Sequence, residues 1–328
     1  MPNDTKTGQR RMSLTQRNSA RARTGSEGLR LRRVLVPIDF SPAAREALAF
    51  ALPLVQKFGA ALHLAHVFAP DYPLSSMVAL PLIVPEIEVE RRVRSHLQGV
   101  AKKEEAVIRR ENVHAIKGRP FEEICRLARE LEIDLIVTAT RGRTGLKHLA
   151  LGSTAERVVR HAPCPVLVVP QGGAAKRRRP AFKKILVPVD FSDCAARGLA
   201  YAKALAQEFD SRLVLLNSVD LHYYSTNPEF ILYDLPPLLA AAEKSARDQM
   251  QELVERTDWN GIAVETLLES GHAGEEICRR AQERGTDLIV TSTHGKTGLA
   301  HIFIGSTAEY VVRHAPCPVL VVPSHPRS

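Results

Sequence analysis

The sequence has few cysteines, one tryptophan and no long apolar stretch, and each scarcity removes a class of protein. Nothing approaches the roughly 18 consecutive apolar residues that a membrane-spanning helix needs. The N-terminal region has no apolar core of the secretory kind, so a cytoplasmic protein without membrane contact is expected. Cys125, Cys164, Cys194, Cys278 and Cys317 form no C-x-x-C pair and no cluster with histidine. They read as reduced, mostly buried thiols rather than a disulfide framework or a metal centre.

Basic platforms are lacking too, despite a net charge of +9. Residues 1–33 carry nine Lys/Arg against Asp4 and Glu27, and residues 171–184 carry six with no acid. Removing these two stretches leaves a slight negative surplus, so the basicity belongs to a tail and a linker. Nucleic acid is therefore not an expected partner.

What the chain does have is nearly everything twice. RVLVPIDFS at 33–41 returns as KILVPVDFS at 184–192. LIVTATRGRTGLKHLALGSTAERVVRHAPCPVLVVP at 135–170 returns as LIVTSTHGKTGLAHIFIGSTAEYVVRHAPCPVLVVP at 288–323. A period near 150 residues is a duplicated domain, not a solenoid. The expected division is a disordered basic tail (1–30), a first domain (31–171), a linker (172–180), a second domain (181–323) and a short tail (324–328). Within each copy, β-branched runs alternate with helical segments. Ser41, Pro42 and Gly59 are the N-cap, first helical residue and stop of the first helix. The fold class is α/β: two repeated, open, doubly wound, Rossmann-like domains, each with a parallel five-stranded sheet.

In such sheets ligands bind at the carboxyl ends of the strands, where the strand order reverses. Asp39 and Asp190 follow each first strand, and a glycine-containing loop follows each fourth. If strands one and four are neighbours, a carboxylate faces that loop across one crevice. Each loop runs into Gly152-Ser153-Thr154-Ala155-Glu156 or Gly305-Ser306-Thr307-Ala308-Glu309, where free N–H groups at a helix start favour an anion. Gly142 and Gly295 let backbone approach a phosphate, and Arg141 or His294, with Arg143 or Lys296, supply cations. Gly295-Lys296-Thr297 is not a P-loop, because Val290 stands where that motif requires its first glycine. The same residues admit plainer readings: Ser153 and Ser306 as the start of a Ser-x-x-Glu capping box, Gly145 and Gly298 as turn residues, Asp39 and Asp190 as turn formers.

At LVPIDFS and LVPVDFS, the two loops, GSTAE and the repeated VVRHAPCPVLVVP, the chain resembles the universal stress protein family in a tandem two-domain form. The resemblance runs from about 31 to 323. In the nucleotide-binding branch of that family the signature is G-x2-G-x9-G-[ST]. Gly142 and Gly295 fall on its second glycine, with Gly152-Ser153 and Gly305-Ser306 ten positions on, while Ala139 and Ser292 replace the first glycine. A left-handed backbone there would cost a side chain about 1–2 kcal/mol; a place needing only a small residue would not. The resemblance implies ATP as ligand, with AMP or ADP as alternatives and Mg²⁺ as companion ion. It places Asp39 and Asp190 at the adenosine part, Pro37 and Pro188 on that wall, and the Val67 backbone at adenine, with Ser218 replacing Val67 in the second copy. Gly142, Gly152, Ser153 and Thr154, with Gly295, Gly305, Ser306 and Thr307, would hold ribose and phosphates. It implies a regulatory or protective role in stress response, an internal pseudo-dimer through the PVLVVP strands, and room for a homo-oligomer. The alternatives are a non-binding interaction module of the same fold, or a slow ATPase.

No catalytic group is assigned. His161 and His314, in RHAPCP, read as structural, and Cys164 and Cys317 as small apolar core residues. The proline-broken segments 71–86 and 222–237 are lids, partner surfaces or variable loops.

Overall fold

The computed structural model describes residues 29–68, 86–104, 107–140, 151–172, 182–220, 235–295 and 304–324. The first half runs β1 (Arg33–Pro37), α1 (Pro42–Phe58), β2 (Ala61–Phe68), α2 (Glu86–Lys103), β3 (Val113–Lys117), α3 (Pro120–Glu130), β4 (Leu135–Ala139), α4 (Ser153–His161) and β5 (Val166–Val169). The second repeats it as β6 (Lys184–Pro188), α5 (Asp193–Phe209), β7 (Arg212–Val219), α6 (Leu235–Arg256), β8 (Val264–Ser270), α7 (Ala273–Glu283), β9 (Leu288–Ser292), α8 (Ser306–His314) and β10 (Val319–Val322).

Local sequence explains the starts and stops. The Ser41 hydroxyl accepts the Ala44 N–H, Pro42 opens α1, and Gly59 ends it at φ 61°. In the second half Ser192 caps Ala195 in the same way, but Asp210 takes the left-handed terminal position at φ 51°.

All ten strands form one sheet in the order β3-β2-β1-β4-β5-β10-β9-β6-β7-β8. Each half is parallel throughout, and its order reverses between β1 and β4 or between β6 and β9. The sheet as a whole is mixed, because β5 and β10 pair antiparallel, with Leu320 opposite Leu167. The PVLVVP strands, which as edges would need a cover, thus cover each other. Leu167, Val169, Leu320 and Val322 enter the core under α1, α2, α5 and α6, which also holds Leu29 and Leu31. Val166, Val168, Val319 and Val321 enter the opposite core under α3, α4, α7 and α8. Across the seam Arg313 reaches Glu156 of the other half at 3.4 Å while holding Glu309 at 2.6 Å, and Glu156 also binds Arg160 at 2.9 Å.

One polar pair interrupts the first half's core. His63 Nδ1 on β2 and His114 Nε2 on β3 lie 3.1 Å apart, with the rings stacked. Burial, then His114 and Arg33, lower the His63 pKa to about 4. The unfolded chain therefore takes up a proton near pH 6.5 that the folded chain refuses until about pH 4. Stability present above pH 6.5 is lost as pH falls through that window. Between pH 7 and pH 5 the loss is about 1–2 kcal/mol, solvent screening setting the lower end. His63→Val, which copies Val214 of the second half, should flatten this dependence, measured as urea midpoints at the two pH values.

Candidate functional site

The reversal between β1 and β4 puts the predicted site residues on one edge. Pro37 ends β1, Val67 lies near the end of β2 and Ala139 ends β4. In the second half Pro188, Ser218 and Ser292 take these places. Gly152 N–H donates to Thr140 O at 2.8 Å, and Gly305 N–H to Thr293 O at 2.8 Å. Each loop after the fourth strand therefore returns to its own start and delivers the next helix to the same edge. The antiparallel seam turns the two halves' crevices toward opposite edges of the sheet.

Asp190 Oδ1 accepts from the Ser192 N–H at 3.0 Å and from the Ser192 hydroxyl at 2.6 Å. Asp39 Oδ1 accepts from the Ser41 N–H at 3.0 Å. The turn-former reading is thus correct for one oxygen. The other oxygen has a second neighbour: a methyl group built on Gly295 would stand 2.4 Å from Asp190 Oδ2. The loop backbone passes directly over the carboxylate, so Gly295 is glycine because of close approach rather than backbone torsion.

The helix starts correct one expectation. The N-caps of α4 and α8 are Gly152 and Gly305, at φ −63° and −58°, with Ser153 and Ser306 already the first helical residues. Among the described residues no side chain caps either helix, and Glu156 and Glu309 turn to arginines instead of back to the helix start. The capping-box reading fails because the chain enters each helix one residue earlier than Ser-x-x-Glu suggests. Thr154 and Thr307 share the first turn with the helix-start N–H groups, an arrangement suited to an anion.

Ala139 and Ser292 carry no strain. Among the described residues the left-handed non-glycine positions are Phe40, Glu132, Phe191, Asp210 and Asn260. The place of the first signature glycine has an ordinary backbone, so a small side chain fits. Ser292 uses its hydroxyl to donate to His294 O at 2.8 Å. His294 holds Nδ1 2.9 Å from both Thr293 Oγ1 and Ser324 Oγ, which ties its ring to the segment after β10. Arg141 and Gly142, with Arg143 and Lys296, lie outside the described residues.

The remaining candidates are structural. His161 and His314 direct Nδ1 at the carbonyl four residues earlier in their own helices, Arg157 and Tyr310, at 2.8 Å. Burial pushes the Cys278 thiol up to about 11 and Cys164 higher still, so neither supplies a thiolate. Among the described residues no three His, Cys, Asp or Glu side chains cluster as a metal site. No described helix is long and apolar enough to cross a membrane.

The model of the universal stress protein family matches residues 30–170 and 181–323. The chain belongs to the universal stress protein family. Each half resembles single-domain members. Universal stress protein MJ0531 of Methanocaldococcus jannaschii is 35% identical over 142 residues, 43% of this chain and 82% of its own. Universal stress protein Sll1388 of Synechocystis is 32% identical over 153 residues, 43% of this chain and 97% of its own. The crystal structure of a universal stress protein from Archaeoglobus fulgidus covers 89% of this chain and 98% of its own at TM-score 0.61 and 23% identity, a likeness of fold.

Two features of this universal stress protein's site were missed in the sequence. Phe40 and Phe191, next to the aspartates, adopt φ 64° and 62°, a conformation bulky residues avoid. His66 and Asn217 bond the carbonyls just before the aspartates. The repeated Asp-Phe-Ser marks both places in the sequence without announcing their backbone conformation. Comparison of the copies passes over the second, because the two residues differ.

Proposed function

We propose that each half of this universal stress protein binds one adenine nucleotide, ATP foremost, and that occupancy makes the chain a regulator in stress response rather than a metabolic enzyme. The observation that carries this reading is the Asp190 carboxylate packed against the Gly295 backbone at the switch point, beside an uncapped helix start at Gly305. Asp39 and Asp190 would accept hydrogen bonds from the adenosine part, beside Pro37 and Pro188. The Val67 backbone would meet adenine in the first half, and Ser218 would replace it in the second. The N–H groups of Gly152-Ser153-Thr154 and Gly305-Ser306-Thr307 would meet the phosphates, with Gly142 and Gly295 allowing close approach. Mg²⁺ would be carried by the phosphates rather than by a protein carboxylate cluster.

Equilibrium dialysis should show one ATP per half, and Asp39→Ala or Asp190→Ala should each remove one of them. A second reading, a non-binding interaction module, draws on Ser292, whose hydroxyl closes onto His294 O within the loop. Saturable binding to the second half decides against it.

A further inference from the structure

The aspartates stand in a turn that the chain would not adopt unaided. A left-handed phenylalanine costs about 1–2 kcal/mol, yet one follows each aspartate, Phe40 and Phe191. The residue before each aspartate is held at both its N–H and its carbonyl. Ile38 N–H donates to Ala65 O at 2.7 Å, and Val189 N–H to Leu216 O at 2.8 Å. Their carbonyls accept from side chains on β2 and β7: His66 Nδ1–H to Ile38 O at 2.5 Å, and Asn217 Nδ2–H to Val189 O at 2.7 Å. On the far side, Asp Oδ1 is held by the Ser41 or Ser192 N–H. The Phe40 ring rests on the His66 ring, with centroids 4.6 Å apart.

His66 and Asn217 occupy the same strand position, one residue beyond Ala65 and Leu216, the partners of Pro37 and Pro188, and they share only an N–H donor: one is an imidazole, the other a carboxamide. What the two halves share is the bond to the carbonyl, not the residue. A donor kept while the side chain changes points to a requirement at that carbonyl.

We propose that His66 and Asn217 are positioning residues for the nucleotide site, acting through Asp39 and Asp190. By anchoring the preceding carbonyl they fix the turn through the left-handed phenylalanine, and so aim each carboxylate across the crevice at the hydroxyl-bearing adenosine part of the ligand. The inference rests on the proposed function, since it names what orients that function's carboxylate.

The test is a loss-and-rescue series on the full chain, read as the Kd for ATP of the second half in an Asp39→Ala background. Asn217→Leu, similar in size and without a donor, should weaken binding about tenfold. Asn217→His, which supplies the first half's donor, should restore it to within about threefold. An unchanged Kd in Asn217→Leu, or a failure of Asn217→His to restore binding, would overturn the inference and leave the proposed function standing. A wild-type chain that takes up no ATP would overturn both. If Asn217→Leu does not fold, the same series in the first half, with His66→Leu and His66→Asn in an Asp190→Ala background, decides.

Discussion

Gly295→Ala is expected to weaken ATP binding to the second half at least about tenfold, about 1.4 kcal/mol, with little change in folding stability. The added methyl would stand 2.4 Å from Asp190 Oδ2, and one of the two must move. The carboxylate is the softer partner, because it is the end of a side chain. Its other oxygen is held by Ser192 through both N–H and hydroxyl, so relief comes by twisting the carboxylate out of its pose and breaking one of these bonds. The fold survives that twist, whereas a ligand that needs the pose does not. Gly198→Ala is the control: its methyl would meet the Ser292 backbone N at 3.7 Å, an ordinary contact, and binding should be unchanged. Dialysis and urea midpoints on the same two variants separate loss of site from loss of fold.

Leu320→Asp should be the most damaging single change to the fold, costing at least about 4 kcal/mol. Leu320 lies opposite Leu167 in the antiparallel seam and is 5% exposed, in the core shared with Leu54, Leu205 and Phe182. Truncating a buried leucine alone costs about 2–5 kcal/mol, and an unpaired carboxylate adds its own desolvation. Because β5 and β10 are the strands that join the halves, the loss should appear in both rather than in the second alone. Urea unfolding followed by the lone tryptophan, Trp259, reports the second half, and far-ultraviolet circular dichroism reports both.

Much of this architecture was legible because it rests on short-range patterns. Ser41, Pro42 and Gly59 bound α1 as their chemistry requires, and the repeated β-branched runs mark the strands. The carboxylate facing a glycine loop followed from a condition, strands one and four being neighbours, that the sheet meets in both halves. The helices start at Ser153 and Ser306 as read, and only the capping-box alternative fails: Ser-x-x-Glu satisfies the pattern, but Gly152 and Gly305 provide the extended backbone of the cap and leave the serines inside. Phe40 and Phe191 could not be read as left-handed, because local preference opposes it and the bonds to the carbonyls before the aspartates come from β2 and β7, distant in sequence. His66 and Asn217 were invisible for a related reason. Their shared role is a single N–H donor, a property that identity between the copies does not record. Ala139 and Ser292 looked like losses in the signature, yet the backbone there is ordinary and asks only for a small residue.

The central claim, a nucleotide in each crevice, is tested most directly by equilibrium dialysis of the full chain against labelled ATP. The account predicts saturable binding that reaches one nucleotide per half, with Asp39→Ala and Asp190→Ala each abolishing one share. Absence of saturable uptake by either half would contradict it.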